Sequence, residues 1–209
     1  MKLKICGMKY YHNILEVSKL KPDYLGFVFW ENSPRYFDAI IPELPRSIQK
    51  VGVFVNADLE NILYKTKQYK LDLIQLHGQE SVSYCKELKD NGLALIKAFS
   101  IHANFEFNQL NEYESICDYF LFDTKGKQPG GNGIAFDWTI LNNYHLNTPF
   151  FLSGGIGLNH CTAIHDFQKT KLSKNCIAID VNSKFEIQPG LKQTKELFEF
   201  KKILHENKL

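Results

Sequence analysis

The chain alternates between short runs of apolar residues and segments whose apolar residues recur every three or four positions. In the first run, Leu3 and Ile5 face one side of a strand, and Lys2 and Lys4 face the other. The later runs are mostly apolar, which is typical of strands buried on both faces, and 24–29 is apolar throughout. They lie at 24–29, 51–55, 73–76, 93–99, 119–122, 149–152 and 177–179.

Helices are predicted between most of these strands. Amphipathic spacing predicts helices over 10–19, 81–91 and 194–204, and shorter ones over 37–44, 110–116 and 136–141. Asp58 and Asn159 are predicted to cap helices that run to about residues 69 and 167. Alternating strands and helices indicate a parallel sheet, and eight such units in 209 residues favour a closed (β/α)8 barrel over an open doubly wound sheet. We expect one domain over 1–209.

Composition narrows the class of protein. The chain is 44% hydrophobic and 23% charged, and its net charge of +2 is too small to indicate a nucleic-acid or membrane-surface protein. We expect neither a signal segment nor a membrane span, because the first residues do not form an apolar run and no stretch is long enough to span a bilayer. The odd number of cysteines and the lack of CxxC spacing indicate a reduced, cytoplasmic protein with free thiols and no zinc site. These cysteines are Cys6, Cys85, Cys117, Cys161 and Cys176.

The polar residues that can carry chemistry fall just after predicted strands, and in a parallel barrel all of these positions lie on one rim. Taken singly, each has an ordinary alternative: a small buried hydrophobe, a surface charge, a packing residue, a helix cap or a turn. The residues are Cys6, Arg35, His77, Asp123 and Asp180.

Two glycine-rich segments are candidate phosphate sites. Gly154 and Gly155 follow the seventh strand, where barrels often bind phosphate through backbone N–H groups, although a plain turn would also need them. The run 130–133, GGNG, lacks the Lys-Ser/Thr of a P-loop, and we interpret residues 125–135 as a mobile lid.

Together these motifs resemble the phosphoribosylanthranilate isomerase family, a group of tryptophan-pathway barrels. Each motif is short, but they occur in the family's order and extend from one end of the chain to the other. The matching stretches are KICG at 4–7, SPRY at 33–36, QLHG at 75–78, FDT at 122–124, GGNG at 130–133, FDW at 136–138, GG at 154–155 and DV at 180–181.

The resemblance implies an Amadori rearrangement, which needs one acid and one base. By analogy with the family, Asp123 is the acid that protonates the furanose ring oxygen, and Cys6 is the base that removes the C2' proton. Because the ordinary pKa values are about 3.9 for aspartic acid and about 8.5 for cysteine, we expect the pKa of Asp123 to be raised and that of Cys6 to be lowered.

The resemblance also implies the substrate contacts. Arg35 would pair with the anthranilate carboxylate, and the other binding residues would be His77, Gly154, Gly155, Asp180, Asn182 and Ser183. We expect a small-molecule substrate, no cofactor, no metal ion, no nucleic acid, no membrane, and a monomer or homodimer.

One departure from the family pattern concerns the loop after the eighth strand. The family usually has Ser-Ser-Gly-Val-Glu there, whereas residues 182–186 of this chain read NSKFE. Because a residue other than glycine resists a positive φ angle, either the loop takes another shape or Lys184 contributes its own charge. We predict that Lys184 points toward the phosphate.

Three alternative interpretations of the function remain open. A metal-dependent epimerase would need histidines and acids at several strand ends, and this chain offers His77. Indole-glycerol-phosphate synthase would need a catalytic lysine, for which Lys97 is available, but Cys6 and Arg35 would then have no role. A catalytically silent phosphosugar- or anthranilate-binding barrel would not need Cys6 and Asp123.

Overall fold

A closed parallel barrel positions every candidate residue. The computed structural model describes residues 1–124 and 137–206, so the predicted lid over 125–135 lies outside the described residues. Within those ranges eight parallel strands pair in chain order, and β1 also pairs with β8, which confirms the (β/α)8 prediction. The strands are β1 Lys2–Ile5, β2 Tyr24–Val28, β3 Gln49–Phe54, β4 Leu73–Leu76, β5 Leu95–Ile101, β6 Tyr119–Thr124, β7 Phe150–Leu152 and β8 Cys176–Val181.

The helices between the strands follow the predicted pattern in most places. They are α1 Tyr11–Ser18, α2 Leu59–Tyr69, α3 Val82–Asp90, α4 Asn111–Glu114, α5 Cys161–Gln168 and α6 Thr194–Glu206. A 3₁₀ turn, Trp138–Asn143, takes the place of a helix before β7. An antiparallel hairpin of β9 Glu186–Gln188 and β10 Leu191–Lys192, which the sequence did not predict, follows β8.

The predicted helix over 37–44 is wrong, because this described segment is irregular. The Phe37 N–H donates to the Val28 carbonyl at 2.8 Å, which extends the barrel pairing beyond β2. The Phe37 ring is fully buried against Phe27, with ring centroids 5.0 Å apart. Packing therefore anchors Phe37 beside β2 and not in a helix, and neither Pro42 within the predicted helix nor Pro45 just after it has an N–H to donate.

Two predicted helix starts differ in outcome. Asp58 caps α2 as predicted, since its carboxylate accepts the Asn61 N–H at 2.7 Å. Asn159 is not a cap: it lies inside a 3₁₀ turn, Leu158–His160, and α5 begins after that turn. The His160 N–H donates to the Gly157 carbonyl at 2.9 Å, which tightens the chain before the helix begins.

The core has an outer and an inner part. The outward faces of the strands pack against the helices, with Leu3 and Ile5 of β1 among the fully buried residues. Inside the barrel a smaller cluster fills its N-terminal half, and polar side chains lie above that cluster toward the C-terminal ends of the strands. Over the described ranges, none of the helices has the length and apolar content to cross a bilayer. The inner cluster is Tyr24, Val51, Leu73, Ile96, Ala98, Leu121, Phe151 and Ala178.

Candidate active site

A pocket opens at the C-terminal ends of the barrel strands, where sequence reasoning placed the chemistry. Its apolar wall includes Val28, Trp30, Val53 and Ile156. Eight of the nine predicted site residues line it, although they come from distant parts of the chain. They are Cys6, Arg35, His77, Asp123, Gly155, Asp180, Asn182 and Ser183.

Cys6 directly follows β1 and is 5% exposed. A side chain at Gly26 would put its Cβ 2.7 Å from the Cys6 Sγ, so glycine on the neighbouring strand makes room for the thiol. Burial raises the pKa of the thiol, while the positive charges of Lys4 and Lys192 oppose that rise. The expected lowering of the Cys6 pKa is therefore wrong for this pocket.

Asp123 lies in β6 on the other side of the pocket. Its Oδ1 accepts the Thr124 N–H at 2.8 Å, and its Oδ2 lies 3.3 Å from Nε2 of His77. The other ring nitrogen of His77, Nδ1, lies 3.0 Å from the side-chain amide of Gln75 on β4. His77 thus contacts the candidate acid directly, and Gln75 orients the imidazole ring.

Lys4 and Asp180 form a buried ion pair at the floor of the pocket, with 2.9 Å between Nζ and Oδ1. Ser153 donates a further hydrogen bond to Asp180 Oδ2 at 3.2 Å. Burial raises the pKa of Asp180, and Lys4 opposes the rise. Burial by itself would lower the pKa of Lys4, but Asp180 and Cys6 outweigh it and leave the pKa raised, so the lysine keeps its charge.

Arg35 is held by a carboxylate of the protein itself. Its Nε and Nη2 atoms form a two-pronged pair with Glu186, with a shortest distance of 2.6 Å. Lys192 joins the same carboxylate at 2.7 Å, and burial lowers the pKa of this lysine to about 8 even though Glu186 opposes that shift. Burial would raise the pKa of Glu186, but the contacts to Arg35 and Lys192 outweigh it and leave the pKa lowered. The sequence reasoning had assigned the fork of Arg35 to the substrate, and in the structure Glu186 engages two of its three nitrogens.

The two glycines after β7 have different positions. Gly155 lines the pocket with φ +60°, whereas Gly154 lies behind it with φ +99°. A Cβ at Gly154 would lie 2.2 Å from the Thr124 Oγ1 and 2.8 Å from the Thr124 N. Gly154 therefore brings the β7 loop against β6, and Gly155 is the one that faces the pocket.

The loop after β8 resolves the question raised by Lys184. Residues Ser183–Phe185 form a 3₁₀ turn, and Lys184 has no positive φ, so the loop has taken another shape. The side chain of Lys184 lines the pocket, and its Cβ lies 3.1 Å from the position a Cβ would take at Gly157. The lysine thus stands at the same end of the pocket as Gly155 and Ser183.

The polar residues of this site that sequence reasoning missed include Lys4, Gln75, Glu186 and Lys192. Lys4 and Gln75 were detectable, because the two-residue period of a strand places them on the same faces as Cys6 and His77. Glu186 and Lys192 carried no such signal, since their positions depend on the unpredicted hairpin.

Lys97, the lysine that an indole-glycerol-phosphate synthase reading would use, lies outside the pocket. It is buried in an ion pair with Glu80 at 2.9 Å and also donates to the Gly78 carbonyl at 2.9 Å. Its hydrogen bonds tie the β4–α3 loop to β5 and give the lysine a structural role.

Comparisons with known proteins identify relatives over nearly the whole chain. The family model described as N-(5'phosphoribosyl)anthranilate (PRA) isomerase matches residues 3–202. An N-(5'-phosphoribosyl)anthranilate isomerase from Parabacteroides distasonis is 44% identical, over 98% of this chain and 94% of the relative. The crystal structure of phosphoribosyl anthranilate isomerase from Thermotoga maritima has a TM-score of 0.81 at 28% identity, with 98% of each chain covered. A phosphoribosyl anthranilate isomerase solved in complex with reduced 1-(o-carboxyphenylamino)-1-deoxyribulose 5-phosphate has a TM-score of 0.80 at 27% identity, again with 98% of each chain covered.

Proposed function

The chain belongs to the N-(5'-phosphoribosyl)anthranilate isomerase family, and we propose that it performs the family's reaction with Cys6 as base and Asp123 as acid. It is an isomerase of tryptophan biosynthesis. It converts N-(5'-phosphoribosyl)anthranilate to 1-(2-carboxyphenylamino)-1-deoxyribulose 5-phosphate by an Amadori rearrangement.

Ring opening is the first step of the proposed mechanism. The carboxylic acid of Asp123 gives its proton to the furanose ring oxygen, the bond from that oxygen to C1' breaks, and the anthranilate nitrogen supplies the electron pair that forms an iminium. Asp123 becomes a carboxylate, and His77 at 3.3 Å and the Thr124 N–H at 2.8 Å are placed to stabilise it. Positioned acid catalysis of this kind contributes about 10²–10⁴-fold to the rate.

Proton removal at C2' is the second step. The thiolate of Cys6 takes the C2' proton, and the electrons of that C–H bond move to quench the iminium and give an enolamine. The enolamine then becomes the ketone as its hydroxyl proton is lost and C1' gains one. The enzyme has given one proton from Asp123 and taken one on Cys6, and exchange with solvent restores both groups.

The two ends of the substrate suit the two ends of the pocket. Arg35 lines the pocket, and we assign the part of its guanidinium that Glu186 does not bind to the anthranilate carboxylate. Gly155, Asn182 and Ser183 line the end of the pocket that also carries Lys184, and we assign them to the phosphate. Asp180, at the floor of the pocket, is assigned to a ribose hydroxyl.

One observation carries this assignment: Cys6 and Asp123 reach the same pocket from β1 and β6, with His77 against the acid. The test is turnover of phosphoribosylanthranilate, followed by the fluorescence of the anthranilate group, in Cys6→Ser and Asp123→Asn. Both variants are expected to keep the wild-type melting temperature within a few degrees and to lose most of their turnover, about 10²–10⁴-fold for Asp123→Asn. Cys161→Ser, which changes a half-buried thiol on α5, is the matched control and is expected to keep full activity.

The outcomes separate the competing roles. Near wild-type kcat in Cys6→Ser would exclude the thiol as base. A loss of stability of about 1 kcal/mol with intact turnover in Asp123→Asn would make Asp123 a cap only. Binding of the substrate by the wild-type protein without any loss of its fluorescence would indicate a catalytically silent barrel.

A further inference from the structure

Lys4 is a buried cation that the mechanism described above does not use. Its side chain is 0% exposed, and its ammonium is held 2.9 Å from Asp180 on the neighbouring strand. Lys4 and Cys6 are two residues apart along the direction of β1, so their side chains leave the same face of the chain, about 6–7 Å apart at the backbone. The lysine therefore lies directly beneath the thiol, inside the barrel.

A thiolate in this pocket needs a cation, because an unpaired charge is costly to bury. Lys192 on β10 is the other lysine whose charge acts on Cys6, but its three hydrogens are already directed at Asn182 and Glu186. Lys4 is different, since its pair with Asp180 uses one of its three hydrogens. Asp180 on β8 acts on Cys6 in the opposite sense to Lys4.

Four of the remaining charged or titratable side chains at the pocket are paired with one another. Across the barrel, Asp123 on β6 faces His77, which follows β4. On the hairpin side, Arg35 is paired with Glu186. Lys184 stands at the pocket rim after β8. None of these side chains comes from β1, whereas Lys4 is two residues from Cys6 on the same face of that strand.

We propose that Lys4 is a positioning residue whose ammonium, fixed by Asp180, stabilises the thiolate form of Cys6. This inference rests on the proposed role of Cys6 as base and adds the group that makes this role feasible in a buried site. When the thiolate takes the C2' proton it becomes a neutral thiol, and the charge of Lys4 is then balanced by Asp180 alone. The ion pair thus keeps the lysine in place through both protonation states of the sulfur.

The two partners of the ion pair give predictions of opposite sign. Lys4→Met removes the cation, so the thiolate becomes harder to form. Asp180→Asn removes the anion and leaves Lys4 to act on the sulfur alone, so the thiolate becomes easier to form. A merely structural role predicts no such opposition, because each variant breaks the same ion pair.

The experiment measures thiolate formation directly and needs no turnover. Iodoacetamide alkylates the thiolate form of a cysteine, and mass spectrometry of the peptide that contains Cys6 gives its rate of alkylation at each pH. Lys4→Met is expected to raise the midpoint of this pH profile by about one to three units, the usual effect of a neighbouring charge, and Asp180→Asn is expected to lower it. Below the midpoint, each unit changes the alkylation rate about tenfold. The matched control is Lys2→Met on the same face of β1, where Lys2 bonds to the Tyr24 hydroxyl at 3.3 Å, and its midpoint is expected to stay unchanged.

The proposal is overturned if both variants move the midpoint in the same direction, or if neither moves it. Should Lys4→Met fail to fold because Asp180 is left unpaired, Asp180→Asn decides alone, since an unchanged or raised midpoint in that variant contradicts the proposal. This result is independent of the test for the base. An inactive Cys6→Ser protein combined with unmoved midpoints would keep Cys6 as base and remove Lys4 from the mechanism.

Discussion

The cluster of Arg35, Glu186 and Lys192 gives a stability prediction with a defined size. The Glu186 side chain is 5% exposed, and besides the two cations it accepts the Gly190 N–H at 3.0 Å. Glu186→Gln keeps the shape of the side chain and removes its charge, which leaves two cations without their carboxylate. Removing one partner of a buried ion pair costs about 3–5 kcal/mol. For a chain of this length we therefore expect the melting temperature to fall by roughly 6–20 °C.

The pH dependence of this loss follows from the two titrating partners. The pKa of Glu186 is lowered in the folded protein, so its contribution to stability is present above the unfolded value of about 4.3 and is lost as the pH falls through the folded value. The pKa of Lys192 is lowered to about 8, so the folded protein sheds this proton before the unfolded chain does, and stability gains from that loss as the pH rises. In Glu186→Gln the lysine loses its carboxylate partner and sheds its proton at a lower pH still. The difference between wild type and variant is therefore largest above the titration of Glu186 and below that of the variant's lysine, and it shrinks as the pH rises toward about 8.

Urea unfolding followed by circular dichroism, at several pH values between about 5 and 9, measures this difference directly. Glu199→Gln, an exposed position on α6, is the control for removing one negative charge and is expected to change the free energy of unfolding by less than about 0.5 kcal/mol. A loss below about 1 kcal/mol in Glu186→Gln, or a loss that stays the same across the titration of Lys192, would refute the reasoning.

Two further predictions concern substrate binding. Arg35→Lys keeps the positive charge, but a lysine cannot bind Glu186 through two nitrogens and also present a planar donor to the substrate. Steady-state kinetics are therefore expected to show a raised KM. Unchanged KM with unchanged kcat would exclude Arg35 from carboxylate binding. Lys184→Gly and Lys184→Ala are expected to weaken substrate binding at low salt and to flatten its salt dependence. The reason is that dissolved salt screens the charge of an exposed lysine, since the Debye length is about 10 Å at 0.1 M. Tighter binding by Lys184→Gly in the same titration would instead mean that the lysine obstructs the phosphate.

The strands were predictable because each is a short apolar run whose burial is fixed by the barrel. The predicted strand over 73–76 matches β4, Leu73–Leu76, residue for residue. The segment over 37–44 was misread because its apolar spacing suits a helix, whereas Phe37 is pulled into the core next to β2. The β9–β10 hairpin gave no local signal, since β10 has two residues and is fixed by distant contacts such as the pair of hydrogen bonds between Asn13 and the Lys192 backbone. Tertiary contacts therefore determine the structure of both the 37–44 segment and the β9–β10 hairpin.

The sequence predicted which residues lie at the strand ends around the site, but it did not predict how the charged side chains there pair with one another. Rim positions brought Cys6, His77 and Asp123 to one pocket, because all strands of a parallel barrel end on the same side. The pairing of Arg35 with Glu186 could not be read from a sequence in which they are 151 positions apart. The pKa of Cys6 was predicted in the wrong direction because burial, which only the fold determines, is its largest cause.

The ion pair between Lys4 and Asp180 joins residues that are 176 positions apart, across the seam where β1 meets β8. Such a contact closes one of the longest loops available to the chain, and contacts of that kind form late because the entropy lost in closing them must be offset by structure already present. During synthesis from the N-terminus, Lys4 and Cys6 leave the ribosome long before β8 does. Until β8 emerges and the barrel closes, the nascent chain holds a cysteine and a lysine with no carboxylate to organise them. The capacity for chemistry therefore arises in a single late event, when the seam closes, and not by degrees as the barrel grows.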